Sequence, residues 1–355
     1  MNILHITQMK AHPEGIGEVL SNLIPEQINL GNKVFLASTN PNAICSDIHV
    51  LDFSNMMDVK EFLHTEHMDI VLFHGIYNKK YLKIYKELLN KRIPYIITLH
   101  GALSQENYRK NLFRKWFANV LYFGSFMKHA KSIIYLNKGE YNNSIVPRYN
   151  QNATYIPNGC FPNPISLNIS SFKSVIQIIF LGRMDVDNKG LDILFDALDL
   201  CKIEQLNIKV NFYGKQYDKT GKYVTDRIKE LDSIASYNGI VKGEEKDFVL
   251  KNADIFILTS RSEGMPMGVL EALSNGIPCI LTPRTNMAYE VEDAHAGWKC
   301  ELNAKSIAET IKKAISEYKT DPSYYKTNAI ALSKKYTWDK IAEKSIEEYK
   351  KIINS

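Results

Sequence analysis

The sequence predicts an α/β protein built from two doubly wound, Rossmann-like halves. Three observations carry this. Short apolar runs alternate with helical patterns from end to end, the rhythm of parallel sheets covered by helices on both faces. The rhythm breaks once, at Cys160-Phe-Pro-Asn-Pro-Ile-Ser-Leu-Asn-Ile-Ser-Ser171, where Pro, Asn and Ser dominate and no period holds, as in a linker. The chain has 355 residues of which 45% are hydrophobic, enough for two cores of ordinary domain size. The expected division is 1–165 for an N-terminal domain, 166–335 for a C-terminal domain, and 336–355 for a terminal helix.

Taken in order, the strands of the first half are expected at 3–7, 34–37, 70–73, 95–99, 133–136 and 154–156. Those of the second half are expected at 176–181, 209–213, 239–241, 255–259 and 279–281. Each run is short and most are dominated by apolar residues, as strands buried on both faces should be. In such sheets ligands bind beyond the carboxyl ends of the strands. If the two halves face each other across a cleft, those ends would line it.

Composition narrows the function. The net charge of +5, from 44 basic and 39 acidic residues, makes no case for nucleic acid as the main partner, although an anionic lipid or a phosphorylated substrate would suit it. Five widely spaced cysteines, Cys45, Cys160, Cys201, Cys279 and Cys300, form no Cys-x-x-Cys pair, so a reduced cytoplasmic compartment is expected and structural zinc is not. Met1-Asn-Ile-Leu-His-Ile-Thr7 lacks the basic start and apolar core of a signal peptide, and no apolar run reaches transmembrane length. Peripheral contact with the cytoplasmic face of a membrane stays open.

The most informative segment is Ser260-Arg-Ser-Glu263-Gly264-Met265-Pro266-Met267-Gly268-Val-Leu-Glu271, which follows the strand at 255–259 and opens a helix. The first N–H groups of a helix have no internal partner and its dipole favours negative charge, so a diphosphate can bind there. Gly264 and Gly268 allow close backbone approach, and Pro266 suits the first helical turn. Glu263 before the helix and Glu271 one to two turns inside it can accept hydrogen bonds from hydroxyls at opposite ends of one ligand, such as a sugar and a ribose. The turn residues Gly264, Met265, Met267 and Gly268 are expected to line the same ligand site.

Arg183 and Lys189 follow the strand at 176–181 and flank the start of a helix at 190–198. Two cations beyond a strand end suit a departing nucleoside diphosphate, whose phosphate gains charge as the glycosidic bond breaks. Between them, Asp185-Val-Asp187 has the form of a metal-binding Asp-x-Asp. Its place just before a helix favours capping and solvation instead, so no metal is expected. Gly15-Ile-Gly17 follows the first strand and can bring backbone N–H groups to a phosphate. With Leu at position 20 it falls short of the dinucleotide motif Gly-x-Gly-x-x-Gly, which argues against a nicotinamide dehydrogenase. His100 ends the strand at 95–99, either as a structural hydrogen-bonder or as a ligand contact. The basic, aromatic stretch 109–123 reads either as a core-facing helix with solvated cations, the favoured reading, or as an interfacial helix that would meet the membrane if the acceptor is lipid-linked.

Together these blocks resemble glycosyltransferase family four, the retaining, nucleotide-sugar-dependent enzymes of the GT-B fold. The resemblance rests on the two glutamates seven residues apart, Glu263 and Glu271. Other blocks follow in family order: Gly15-Ile-Gly17-Glu18, Thr98-Leu-His100-Gly101, Ile156-Pro-Asn-Gly159, Phe180-Leu-Gly-Arg183 through Lys189-Gly190, and Tyr336-Thr-Trp338. Ile16 between the two glycines departs from the adjacent glycines many relatives carry.

The resemblance implies a hexosyltransferase-type enzyme that is retaining and metal-independent, using UDP- or GDP-sugar as co-substrate. Its acceptor would be a saccharide or a lipid-linked saccharide, in surface polysaccharide biosynthesis. Arg183 and Lys189 would bind the diphosphate, Glu263 the sugar, Glu271 the ribose, and His100 the sugar hydroxyls or phosphate. The first domain would lie on the acceptor side, and the terminal helix would cross back to cap it. The reaction would run on one face of the sugar, the leaving phosphate helping to deprotonate the acceptor. A nucleotide-sugar epimerase or hydrolase of the same architecture is the alternative enzyme. A non-enzymatic saccharide-binding protein is the other, against which the cations Arg183 and Lys189 argue.

Overall fold

The computed structural model describes residues 1–9, 15–45, 48–101, 108, 112–162, 174–216 and 220–355. They form two compact units, one of Met1–Gly159 with Trp338–Ser355, the other of Cys160–Thr337. The position 165/166 lies outside the described residues, as does most of the expected linker.

In the first unit the strands are β1 (Asn2–Thr7), β2 (Lys33–Ser38), β3 (Val50–Asp52), β4 (Ile70–His74), β5 (Tyr95–Thr98), β6 (Ser132–Tyr135) and β7 (Ala153–Tyr155). They pair in parallel in the order β3-β2-β1-β4-β5-β6-β7. The second unit holds β8 (Ile176–Leu181), β9 (Ile208–Tyr213), β10 (Ala235–Tyr237), β11 (Ile255–Leu258), β12 (Cys279–Leu281) and β13 (Gly297–Lys299). These are also parallel, in the order β10-β9-β8-β11-β12-β13. Parallel neighbours need crossover connections, and the helices that make them bury both faces. Hence the predominantly apolar character of β4, β5, β6, β11 and β12, every residue of which is buried. Strand order reverses next to the first strand of each sheet. The switch points therefore lie between β1 and β4 and between β8 and β11, where loops diverge and leave a crevice at the carboxyl edge.

One face of the first sheet, with Leu4, Ile6, Val71, Phe73, Tyr95 and Ile97, packs into an aromatic-rich core. The terminal helix Trp338–Asn354 belongs to this unit. It buries Trp338, Ile341, Ala342, Ser345, Ile346, Tyr349 and Ile352, a stripe at helical spacing. Gly159 fits against it because a Cβ there would sit 2.4 Å from the Trp338 ring. In the second unit Cys160 N–H donates to Tyr336 O at 2.7 Å, so that unit's first and last residues run side by side.

Two expectations are corrected. The strand expected at 239–241 is instead β10 at Ala235–Tyr237. Gly239 carries φ +78°, Ile240 is 54% exposed and only Val241 is buried, so the pair Ile240-Val241 lies in the irregular segment after β10. β3 and β13 were not expected, being three-residue edge strands with too few residues to show a period. The stretch 109–123, of which 109–111 lie outside the described residues, does not turn its apolar side inward. Helix Leu112–Ala118 runs into a π-helical turn at Asn119–Phe123 and on into Gly124–His129. Along it Phe113 is 86% exposed, Trp116, Phe117, Val120 and Tyr122 are each more than half exposed, and Asn119 and Phe123 are buried.

Candidate functional site

At the switch point of the second unit, the loop after β8 and the loop after β11 are tied together residue by residue. Gly182 N–H bonds Tyr213 O at 2.9 Å as β8 ends. Asp185 then caps the one-turn helix Val186–Lys189, accepting from Asn188 N at 3.2 Å and from the Asn188 side chain at 2.8 Å. This is the capping role expected of it. Gly190 carries φ +63°, and a Cβ there would lie 2.3 Å from Thr259 O, so only glycine lets the β8 loop lie against the end of β11. Thr259 Oγ1 donates to Lys189 O at 3.1 Å.

Arg261 completes the tie. Its N–H bonds Asn188 O at 2.8 Å, and its guanidinium reaches Asp187 O at 2.9 Å and both carboxylate oxygens of Asp192 at 2.8 and 2.6 Å. Burial works against the Asp192 carboxylate, but the bidentate pair with Arg261 holds it below its ordinary value.

This scaffold places the side chain of Lys189 at Glu263. Lys189 Nζ donates to Glu263 Oε1 at 2.6 Å, and Ser260 Oγ donates to the same oxygen at 2.6 Å. The two charged side chains are 13% and 17% exposed, so the pair is shielded from bulk solvent yet accessible. The Glu263 backbone is fixed as well. Its N–H donates to Arg284 O at 3.0 Å and its carbonyl accepts from Asn286 Nδ2 at 2.7 Å, Asn286 itself holding φ +61°.

The following helix is Met267–Ser274, with Pro266 as its cap in extended conformation rather than inside its first turn. A Cβ on Gly268 would meet Leu181 O at 3.2 Å, so the helix start lies against the end of β8. Glu271, in the second turn, accepts from Lys246 Nζ at 2.6 Å. The exposed side chain of Arg183 lies in the same β8 loop. Thus Lys189, Glu263 and the turn Gly264–Gly268 come together at the carboxyl edge of β8 and β11, Arg183 lies in the β8 loop with an exposed side chain, and Glu271 has a lysine partner of its own.

In the first unit Gly15, at φ +60°, precedes helix Ile16–Asn29, and Gly17 is buried in its first turn; residues 10–14 lie outside the described residues. His100 follows β5 with φ +50° and Gly101 with φ +78°. A non-glycine residue held there is strained, a condition that clusters at functional sites. The buried Glu140 carboxylate fixes this corner by accepting from Gly101 N and Leu136 N, each at 2.6 Å; burial pushes it up to about 7 against those two bonds. His100 Nε2 lies 2.7 Å from His74 Nδ1, and His74 Nε2 lies 2.9 Å from His5 Nδ1.

Lys246, Arg261, Asp192, Glu140, His74 and His5 were not anticipated from sequence. Arg261 and Asp192 stand 69 residues apart and no local pattern links them. The histidines end up together only because β1, β4 and β5 are neighbours. A depression of about 920 Å³ in the first unit is lined by His64, His67, Arg92 and Lys131 at the amino ends of β4 and β5. That is the sheet edge opposite to the one where doubly wound folds bind ligands. Among the described residues no three His, Cys, Asp or Glu side chains converge as metal ligands, all five cysteines are buried and unpaired, and no helix is long and apolar enough to cross a membrane.

Residues 168–331 match the family model described as glycosyl transferases group 1. Among curated proteins, the chain is 22% identical over 175 residues to mannosylfructose-phosphate synthase of Agrobacterium fabrum, covering 47% of this chain and only 38% of that enzyme. It is 26% identical over 285 residues to N,N'-diacetylbacillosaminyl-diphospho-undecaprenol alpha-1,3-N-acetylgalactosaminyltransferase of Campylobacter jejuni, covering 74% and 72% of the two chains. Among solved structures, HepE of Anabaena in complex with UDP superposes with a TM-score of 0.75 at 17% identity, over 99% of this chain and 100% of that one. The chain therefore carries a glycosyl transferases group 1 segment at 168–331, and its two parallel sheets are those of the GT-B fold.

Proposed function

We propose that this chain transfers a hexose or related sugar from a UDP- or GDP-sugar to a saccharide or lipid-linked saccharide, with retention of configuration and without a divalent metal, in the assembly of a surface polysaccharide. The observation that carries this reading is the Lys189–Glu263–Ser260 cluster at the β8/β11 switch point. A shielded cation there faces a carboxylate next to a helix start, the arrangement a diphosphate and a sugar require together. Lys189 and Arg183 offset the charge that builds on the leaving phosphate. Backbone N–H groups at the start of helix Met267–Ser274 add to this, so the leaving group needs no ion. Glu263 holds the sugar hydroxyls and Glu271 the ribose. Within the first unit taken by itself, the backbone N–H groups at Gly15 and Gly17 suit a phosphate and His100 suits a sugar hydroxyl.

The acceptor oxygen bonds to the anomeric carbon as the bond from that carbon to the phosphate oxygen breaks, and the acceptor proton passes to the departing phosphate. The enzymes among the relatives, including one named for a diphospho-undecaprenol acceptor, support this class of reaction. A thermal-shift screen of nucleotide sugars followed by mass spectrometry of candidate acceptors tests it. Stabilisation by UDP or GDP sugars together with a mass increase of one sugar on an acceptor is expected, and binding of neither nucleotide series would contradict it.

The exposed row Phe113, Trp116, Phe117, Val120 and Tyr122 supports a second part of the reading, contact with an anionic membrane surface. Phe113, Trp116, Phe117, Val120 and Leu121 recur at helical spacing, Tyr122 is exposed beside them, and Lys128 and Lys131 are exposed a little further along. Aromatic rings beside cations suit the headgroup layer, where a lipid-linked acceptor would present its sugar. Flotation with vesicles containing anionic lipid should recover the protein, and the variant Trp116→Ser with Phe117→Ser should stay in solution. Equal flotation of both would remove this row from membrane contact.

A further inference from the structure

His5, His74 and His100 form a staircase across the first sheet. In the register of β1 and β4, His5 lies beside Leu72, two residues before His74; in that of β4 and β5, His74 lies beside Thr98, two residues before His100. Because side chains alternate with period two, each step of one strand and two residues keeps the same face. The rings stack at 5.1 and 5.0 Å between centroids and are bonded in series, His5 Nδ1 to His74 Nε2 at 2.9 Å and His74 Nδ1 to His100 Nε2 at 2.7 Å. At the inner end, His5 Nε2 lies 2.9 Å from Gln27 Oε1, and Gln27 Nε2 lies 2.9 Å from Ser345 Oγ. His5 and Gln27 are wholly buried, His74 nearly so, and His100 only partly.

A chain of neutral imidazoles has a direction, since each ring donates at one nitrogen and accepts at the other. Ser345 sets it. Its single hydroxyl proton is used on Ala342 O at 2.7 Å, so its oxygen accepts, and the Gln27 atom facing it is the amide nitrogen; the buried Tyr349 hydroxyl also bonds Ser345 and Gln27 and closes this end of the chain. Gln27 Oε1 then faces His5 and must accept, which places the proton of His5 on Nε2. His5 Nδ1 is left to accept from His74 Nε2–H, and His74 Nδ1 to accept from His100 Nε2–H. We infer that Ser345, Gln27, His5 and His74 are positioning residues that lock His100 as the Nε2–H tautomer, presenting a bare Nδ1 that can only accept a hydrogen bond. Nδ1 of His100 has no partner among the described residues. Burial supports the neutral state of all three rings: it drives His5 and His100 down to about 4 and, with the two neighbouring imidazoles, His74 well below its ordinary value. Such an acceptor at a carboxyl strand edge fits a hydroxyl of a saccharide and repels a phosphate oxygen. That last step rests on the transferase reading above; the tautomer assignment does not.

Long-range ¹H–¹⁵N NMR of the ¹⁵N-histidine-labelled full chain at pH 7, without substrate, reads the tautomers directly, with His100→Asn, His74→Asn and His5→Asn used for assignment. Three Nε2–H tautomers are expected. A His100 that carries its proton on Nδ1, or any of the three as imidazolium, overturns the inference. In Gln27→Met, which keeps the shape and removes the amide, the Nδ1–H form of His100 should appear, and the KM for the sugar donor should rise about three- to tenfold while kcat changes less, as for loss of one hydrogen bond. Unchanged tautomers in a folded Gln27→Met protein would show that Gln27 does not set the direction. If no nucleotide sugar turns over at all while the wild-type spectrum is as expected, the transferase reading fails and the tautomer lock stands.

Discussion

Lys189 Nζ and Glu263 Oε1 lie 2.6 Å apart across the switch point between β8 and β11, joining two residues 74 positions apart in sequence. The pair couples the cation proposed for the diphosphate to the carboxylate proposed for the sugar. Binding of a phosphate anion would compete with Glu263 for the ammonium, leaving the carboxylate to accept from sugar hydroxyls and from Ser260. In Lys189→Ala, kcat/KM should fall by at least about tenfold, since one preorganised charge at a leaving group is worth a few kcal/mol. Arg183→Ala should behave similarly. The double variant should lose less than the sum, because both cations act on one group. Steady-state kinetics on well-folded variants decides this, and an unchanged kcat/KM would remove Lys189 from the reaction.

The separate lysine partners of Glu263 and Glu271 sharpen a second expectation. Glu271→Gln should weaken free nucleotide and nucleotide sugar alike, whereas Glu263→Gln should chiefly weaken the intact donor. Lys246→Ala should follow Glu271→Gln, because Lys246 holds the Glu271 carboxylate at 2.6 Å. Calorimetric titration with UDP or GDP and with the corresponding sugars separates the two patterns. Equal losses for both ligands in both glutamate variants would mean that the roles are exchanged or shared.

Stability should depend on pH in a direction set by the first unit. His5 and His100 lie at about 4 and His74 well below its ordinary value, so between about 4 and 6.5 the unfolded chain binds more protons than the folded one. Their contribution is complete above the unfolded value and is lost as the pH falls through this window. Glu140 has the opposite sign: raised from 4.5 to about 7, it stabilises below the unfolded value and loses that contribution as the pH rises through 7. Three groups outweigh one, so Tm should fall by about 5 °C or more from pH 6.5 to pH 4.5. Scanning calorimetry of the wild type and of His5→Gln, whose slope should be shallower, checks it; a Tm that rises on acidification would contradict the assignment of three neutral histidines.

Catalysis is expected to survive EDTA, because Lys189, Arg183 and a helix start offset the diphosphate without an ion. The carboxylate of Asp185 is already engaged as a helix cap by Asn188. Loss of turnover with chelator and rescue by manganese, together with loss in Asp185→Ala and Asp187→Ala, would restore the Asp-x-Asp reading.

Much of this was legible in the sequence for a physical reason. Parallel strands buried on both faces announce themselves as apolar runs, and the glycines, Pro266 and glutamates of 260–271 mark a strand-to-helix turn without needing any distant partner. What stayed hidden was whatever depends on neighbours across the sheet. Arg261 looked like one of several basic residues until Asp192 lay within 2.6 Å of it. His5, inside the strand expected at 3–7, and His74, just past the one expected at 70–73, carried no signal until the strand order set them in line with His100. The row from Phe113 to Tyr122 has the same amphipathic spacing whether it faces a core or solvent, and the sequence favoured the wrong side.

The measurement that tests the central claim most directly is proton NMR of the fresh product formed from a UDP- or GDP-sugar and an acceptor found by mass spectrometry. The account predicts an acceptor bearing one new sugar with the anomeric configuration of the donor, and no product from Lys189→Ala on the same time scale. Release of free sugar with the acceptor untouched, or a transferred sugar of inverted configuration, would contradict it.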